Sequence, residues 1–113
     1  MTLNEIFLSA LELMGYSYSE NIAAEYPFLA NPLTLCNRVL LDLGIKSADS
    51  LSERLELKES VYEAACYGTA MFIAIYMGDS VKHSFFTEIY NAKRKGVLSK
   101  TEKIKDVIPF SEV

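Results

Sequence analysis

Residues 63–95 read EAACYGTAMFIAIYMGDSVKHSFFTEIYNAKRK, and this stretch decides the fold. Its first half is nearly all apolar and rich in small residues, which predicts a buried helix that other helices approach closely. Gly78 and Asp79 then supply a helix stop and a helix cap. The second half is aromatic on one side and ends in three bases, Lys93, Arg94 and Lys95. Two packed helices joined by a tight corner indicate a scaffold or an interaction module.

Capping residues and apolar spacing predict four helices, over residues 2–15, 31–44, 58–77 and 79–96. Ser19 could cap one or two further helical turns before Pro27, so residues 16–26 remain ambiguous. Gly68 lies inside the third helix, where it costs about 1 kcal/mol relative to alanine, and close packing is the expected compensation. In the fourth helix we expect an apolar stripe, widened by Phe86 and Tyr90. Its members are Val81, Phe85, Ile89 and Ala92.

These elements predict an all-α fold. We expect a bundle of about four helices over residues 1–96, with Gly96 ending the last helix, and an extended C-terminal arm over residues 97–113. The arm carries an apolar tip around Pro109, typical of a segment that docks on a partner or on a neighbouring subunit. Folding back on its own bundle is the alternative. The apolar residues of the tip are Val107, Ile108 and Phe110.

Charge is spread unevenly along the chain. Residues 1–77 hold ten acidic and four basic residues, whereas residues 78–113 hold five acidic and seven basic ones. A bipolar chain of this kind suits head-to-tail assembly, in which an acidic face meets a basic face of a neighbour. A basic helix end followed by a solvated tail explains the same pattern without assembly.

The cysteines and the apolar runs point to the cytosol. Cys36 and Cys66 each lie in an apolar helical run and are expected to be buried thiols rather than a disulfide. The start of the chain resembles a helix cap rather than a signal peptide. The longest apolar run, residues 64–77, is too short to cross a bilayer, so we expect no membrane association.

No catalytic constellation is apparent in the sequence. His83 is the only histidine, which excludes a two-histidine metal site within one chain, and pairing with Asp79 is its ordinary explanation. Glycine-rich phosphate loops are absent as well. We therefore expect a protein that is not an enzyme and that needs no cofactor or metal.

Two groups of residues are candidate contacts with partners or other subunits. Tyrosine combines a large apolar area with a polar tip and is enriched at interfaces, and three tyrosines fall in the poorly periodic segment: Tyr16, Tyr18 and Tyr26. The second group is the basic block, Lys93, Arg94 and Lys95. Because no recognition-helix motif accompanies it, direct DNA contact is the weaker interpretation and a solvated helix end is the plain one.

An ordered series of residues runs through the two long helices and the C terminus: Tyr67, Gly68, Ala70, Met71, Ala74, Gly78, Asp79, Phe85, Phe86, Tyr90, Asn91, Lys93, Arg94, then Lys105, Asp106, Val107, Ile108 and Pro109. This series resembles the small head-tail connector proteins of long-tailed phages and prophages, also described as head-completion or DNA-packaging proteins. Asn37, Asp42 and Leu43 are similar as well.

The resemblance implies a non-enzymatic virion protein that is found in the bacterial cytoplasm and in the virion. Such a subunit forms a homo-oligomeric ring between the portal and the tail or a second connector protein, close to the DNA that passes through. It supplies no catalytic site. The alternative is a small cytosolic helical adaptor or regulator that binds a partner protein or DNA through the basic block and the apolar tip.

Overall fold

A computed structural model describes the backbone of residues 1–110 and the side chains as far as Ser99. The helices are α1 (Leu3–Leu13), α2 (Glu20–Glu25), a 3-10 helix (Pro27–Ala30), α3 (Leu33–Asp42), α4 (Glu59–Tyr76) and α5 (Ser80–Phe110). Over these residues β pairing is limited to one isolated antiparallel bridge, between Thr2 and Arg54. The predicted all-α helical bundle is confirmed.

Three helix starts carry side-chain caps, whereas the predicted cap at Asn31 is wrong, because α3 begins after Pro32 and has no side-chain cap bond. The side-chain oxygens of Thr2, Ser19 and Asp79 each accept a hydrogen bond from the backbone amide three residues later, at 3.2, 3.2 and 3.0 Å. Each bond is made by an amide of the first helical turn, where no carbonyl four residues earlier in the helix accepts it. Ser19 thereby resolves the ambiguous segment into α2. Three helices end at glycines with positive φ, where a side chain would be strained. These are Gly15, Gly44 and Gly78.

The helix α4 is the centre of the bundle and packs against α1, α3 and α5. At Gly68 the neighbouring helices approach so closely that only a hydrogen fits. An ideal Cβ there would lie 2.6 Å from Cε1 of Tyr90 on α5 and 2.7 Å from Cγ1 of Val39 on α3. The prediction that close packing accompanies this glycine is confirmed.

The connection between α3 and α4 is held by a side chain of α3. The Asn37 amide nitrogen donates to the Ala48 carbonyl at 2.8 Å, and the Ala48 amide donates back to Asn37 Oδ1 at 2.7 Å. Further along, the Leu55 amide donates to the Met1 carbonyl at 2.7 Å. The connection is therefore tied both to α3 and to the start of the chain.

The expected helix end at Gly96 is wrong, because α5 continues to Phe110. Glycine weakens a helix interior but does not forbid it, and the next residue, Val97, is only 9% exposed, so packing continues past the glycine. The backbone of the expected extended arm is thus helical over residues 97–110. The rest of that arm, residues 111–113, lies outside the described residues.

The apolar stripe predicted for the fourth helix is divided between the core and the surface. Val81 is 79% exposed and Phe85 is 59% exposed, whereas Phe86 and Tyr90 are each only 3% exposed. The α5 sequence has two apolar sides, and periodicity alone does not say which faces the bundle. The side that carries Tyr90 is buried because Gly68 leaves room for its ring.

Candidate interaction surface

Tyr16 and Tyr18 lie between α1 and α2 and are exposed, at 37% and 46% of their surface. The ammonium group of Lys82 lies 5.3 Å from the centre of the Tyr16 ring and donates to the Met14 carbonyl at 2.8 Å. Tyr18 packs edge-on against Phe7, with ring centres 6.2 Å apart. Both tyrosines are held in place by the bundle and still present area to a neighbour.

Tyr26 belongs to a cluster of rings that joins the 3-10 helix to α4. It is half-buried and packs edge-on against Phe28, whose ring lies edge-on to Tyr76 at 5.3 Å. The neighbouring Glu25 carboxylate raises the pKa of Tyr26, and Tyr16 contributes to the same rise. Tyr26 is therefore neutral at physiological pH.

Lys93 is bound to residues of its own chain. Its ammonium group lies 3.2 Å from Oε2 of Glu63 on α4 and 5.2 Å from the centre of the Tyr67 ring. Both contacts join α5 to α4. Since the side chain is 31% exposed, the ion pair itself contributes little, and its main effect is to hold the lysine against α4.

Arg94 forms the outer part of a three-residue cluster that joins α5 to α3. Its Nε donates to Oδ2 of Asp42 at 2.8 Å, and the Tyr90 hydroxyl donates to the same oxygen at 2.5 Å. Burial raises the pKa of Tyr90, and the bond to Asp42 raises it further. Tyr90 is therefore a permanent donor, and its ring is fixed against Gly68.

Lys95 is the member of the basic block that remains open to partners. It is exposed, and it has no ion-pair partner within residues 1–99. The three bases therefore do not form one basic patch: two bind α3 and α4, and one faces solvent. The side chains of Val107, Ile108 and Phe110 lie outside the described ones, so their role stays a prediction.

An open cleft of about 410 Å³ lies beside Lys93, between α1, α4 and α5. Ser9, Tyr62 and Cys66 line it, and the hydroxyls of Ser9 and Tyr62 lie 3.1 Å apart. Burial raises the pKa of Cys66 to about 11. The thiol is therefore protonated at physiological pH and is a poor nucleophile. Cys36 is buried as well, and both cysteines are free thiols, as predicted.

His83 does not pair with Asp79 through its ring. Its Nδ1 lies 3.0 Å from the Met71 carbonyl, which joins the start of α5 to α4, whereas Asp79 caps α5. Among residues whose side chains are described, no three His, Cys, Asp or Glu groups are placed to hold a metal ion. In the same part of the chain, no helix combines the length and the apolarity needed to span a bilayer.

The comparisons with known proteins add no relative. No protein-family model matches the chain, and neither a curated protein nor a solved structure matches it.

Sequence reasoning missed what Asp42 and Asn37 do. Both entered only as positions of resemblance, yet Asp42 receives Tyr90 and Arg94, and Asn37 binds the α3–α4 connection. A partial signal exists for the first cluster, because Tyr90 and Arg94 are four residues apart and share one helix face. Their acceptor lies about fifty residues away, and helical spacing carries no information about it.

Proposed function

We propose that this chain is a non-enzymatic structural subunit of a phage or prophage virion, a head-tail connector that assembles into a ring between portal and tail. The observation that carries the proposal is the ordered resemblance across the two long helices. Its positions are linked in space: Gly68 receives the Tyr90 ring, Asp79 caps α5, and Arg94 binds Asp42. The resembling residues form one structural framework, as expected for a subunit that acts by shape and assembly.

Assembly would use surfaces that the framework leaves open. Tyr16 and Tyr18 are exposed but anchored, so little side-chain entropy is lost when a neighbour covers them. The exposed Lys95 has no carboxylate partner within residues 1–99. In the proposed role the protein is found in the cytoplasm of a bacterial host and in the virion.

The charge pattern favours this role over that of a DNA-binding regulator. Lys93 and Arg94 already bind carboxylates of the same subunit, and Lys82 lies 4.0 Å from Asp79. Breaking these pairs to reach phosphates would leave the carboxylates unpaired, which lowers the gain from each contact. Among the lysines and arginines of α5 whose side chains are described, Lys95 alone has no carboxylate partner, and one free charge is too few for strong phosphate binding.

Native mass spectrometry of the purified protein, alone and with the portal protein of the same genome, tests the proposal. We expect a ring-sized species, either at high protein concentration or on addition of portal. The double variant Tyr16→Ser, Tyr18→Ser should weaken it, whereas Leu41→Ser, a matched change of an exposed apolar residue on α3, should not. A chain that stays monomeric and ignores portal would contradict the proposal.

A further inference from the structure

The helix α5 has an outward face that nothing in the described part of the chain covers. The exposed residues on this face alternate at spacings of four and three: Val81, Phe85, Glu88, Ala92, Lys95 and Ser99. From Val81 to Lys95 the average spacing is 3.5 residues, which keeps side chains on one side of a helix that winds around a partner helix. The opposite side of α5, which carries Phe86 and Tyr90, already packs on the bundle.

The first turns of this face are strongly apolar. Val81 is 79% exposed and Phe85 is 59% exposed. Among the described aromatic side chains, the Phe85 ring contacts that of Phe86, edge-on with centres 5.3 Å apart. Covering two such side chains by another surface is favourable, at about 25 cal/mol for each Å² removed from water.

We propose that this outward face pairs with the same face of a second copy of the chain, with the two α5 helices antiparallel and crossing at Ala92. The charges of Glu88 and Lys95 favour a second copy as the partner and an antiparallel orientation of the two helices. Glu88 lies four residues before Ala92 and Lys95 lies three residues after it, so each Glu88 faces the Lys95 of the other copy. A parallel pair would instead place Glu88 beside Glu88 and Lys95 beside Lys95.

The charges of Glu88 and Lys95 are free to bind a second copy as far as the described side chains extend. Within residues 1–99, Glu88 and Lys95 make no ion pair, in contrast to Lys82, Lys93 and Arg94. Because a two-fold pair repeats every contact, one interface holds two Glu88–Lys95 pairs. The self-complementary pattern is the reason to name a second copy, rather than an unrelated protein, as the occupant.

The crossing point is also narrow enough for two helices to approach. Ala92 is small, and an ideal Cβ built on Gly96, one turn later, has nothing within 4 Å. Phe85 lies seven residues before Ala92, and Leu98 lies six residues after it. Antiparallel pairing therefore brings Phe85 of one copy close to Leu98 of the other. Leu98 is half-buried, so it offers a partly covered apolar surface to the phenyl ring.

A two-fold pair is closed and differs from the head-to-tail contact of a ring, so this inference does not depend on the proposed function. One helix face is smaller than the roughly 800 Å² per partner of a standard interface. The dimer is accordingly weak, and it forms in the free protein at high concentration and low salt.

Sedimentation equilibrium of the full chain across a range of concentrations tests the pairing through a charge exchange. Glu88→Lys or Lys95→Glu alone places like charges opposite each other twice and should weaken dimerisation about tenfold. The double variant Glu88→Lys, Lys95→Glu restores both pairs and should return to within about threefold of the parent. Phe85→Ser should weaken the dimer too, whereas the control Leu41→Ser should not.

A cross-link provides a second measurement. Ala92→Cys places two thiols at the crossing, so mild oxidation should give a covalent dimer, while the buried Cys36 and Cys66 should not react. The control is Ser60→Cys, at an exposed position on α4, which should stay monomeric.

A protein that is monomeric at every concentration, or a dimer that the double charge exchange does not restore, would overturn the pairing. A portal-dependent ring that is indifferent to both tests would overturn the pairing and leave the proposed function standing. A dimer that passes both tests but never forms a ring, even with portal, would support the pairing and contradict the proposed function.

Discussion

Replacing Gly68 by alanine should destabilise the protein, although alanine is the better helix former. The new methyl group would lie 2.6 Å from Tyr90 and 2.7 Å from Val39, where ordinary contacts begin at 3.4 Å. Each neighbour must therefore retreat by about 0.7–0.8 Å. Val39 is fully buried, and the Tyr90 ring is tethered by its hydroxyl to Asp42, so neither moves easily.

The change in stability is the difference between the cost of overpacking and the gain in helix propensity. Overpacking of a dense core costs about 1–3 kcal/mol of stability. Because neither neighbour moves easily, we expect a cost of about 3 kcal/mol at this site. Alanine recovers about 1 kcal/mol of helix propensity. We expect a net loss of about 2 kcal/mol in the free energy of unfolding, and a melting temperature lower by about 8 °C.

Gly96 supplies a matched control on the neighbouring helix. It also lies inside a helix, but a Cβ there meets nothing within 4 Å, so Gly96→Ala should stabilise by up to about 1 kcal/mol. Urea unfolding of the two variants should therefore move in opposite directions. If Gly68→Ala is as stable as Gly96→Ala, the argument from close approach is refuted.

The tether itself can be examined by a double-mutant cycle. Tyr90→Phe keeps the ring and removes the hydroxyl that binds Asp42, so the ring can retreat from a methyl group at position 68. In that background Gly68→Ala should cost about 0.5–1 kcal/mol less than in the parent. Strict additivity would show that the hydroxyl does not hold the ring.

Three further predictions concern the connection, a helix cap and the thiols. Asn37→Ala leaves the buried amide and carbonyl of Ala48 without partners and should cost about 2–3 kcal/mol by urea unfolding; a loss below 0.5 kcal/mol would mean that water replaces the side chain. Asp79→Ala should cost about 1 kcal/mol, and Asp79→Asn much less because asparagine also caps; equal losses would exclude capping as the cause. Burial raises the pKa of Cys36 to about 12, so the unfolded chain loses this proton at lower pH than the folded chain does. The thiol therefore leaves stability unchanged below about pH 8 and reduces it as pH rises from about 8.5 towards 12, by at most about 1.4 kcal/mol per pH unit. Urea unfolding from pH 8 to 10.5 should show a shallower decline in Cys36→Ala, and an identical decline would contradict this account.

Local chemistry in the sequence predicted the features that depend on near neighbours. The caps at Thr2 and Asp79 and the stop at Gly78 involve bonds within one turn, so residue type and spacing were enough. The central position of α4 followed from its apolar circumference.

Features that depend on distant partners were not predictable in the same way. Whether α5 buries Phe85 or Phe86 depends on where Gly68 leaves room, and Gly68 lies on another helix. The helix end at Gly96 was wrong because the burial of Val97 outweighs a propensity cost of about 1 kcal/mol. In the candidate surface, the sequence identified the basic residues. It could not show that Lys93 and Arg94 are bound while Lys95 is free within residues 1–99, because the carboxylates that bind them lie on α4 and α3.

Because α5 continues through Gly96, a small tilt of the helix moves its far end over a larger distance. The helix is clamped at its base by Tyr90, Lys93 and Arg94, and its axis then runs on from Val97 to Phe110, about 20 Å at 1.5 Å per residue. A tilt of about 5° at the clamp would displace the far end of the axis by about 1.7 Å. Small changes at Asp42 or Glu63 would thus be amplified into a movement comparable to an atomic radius at the opposite end of the helix.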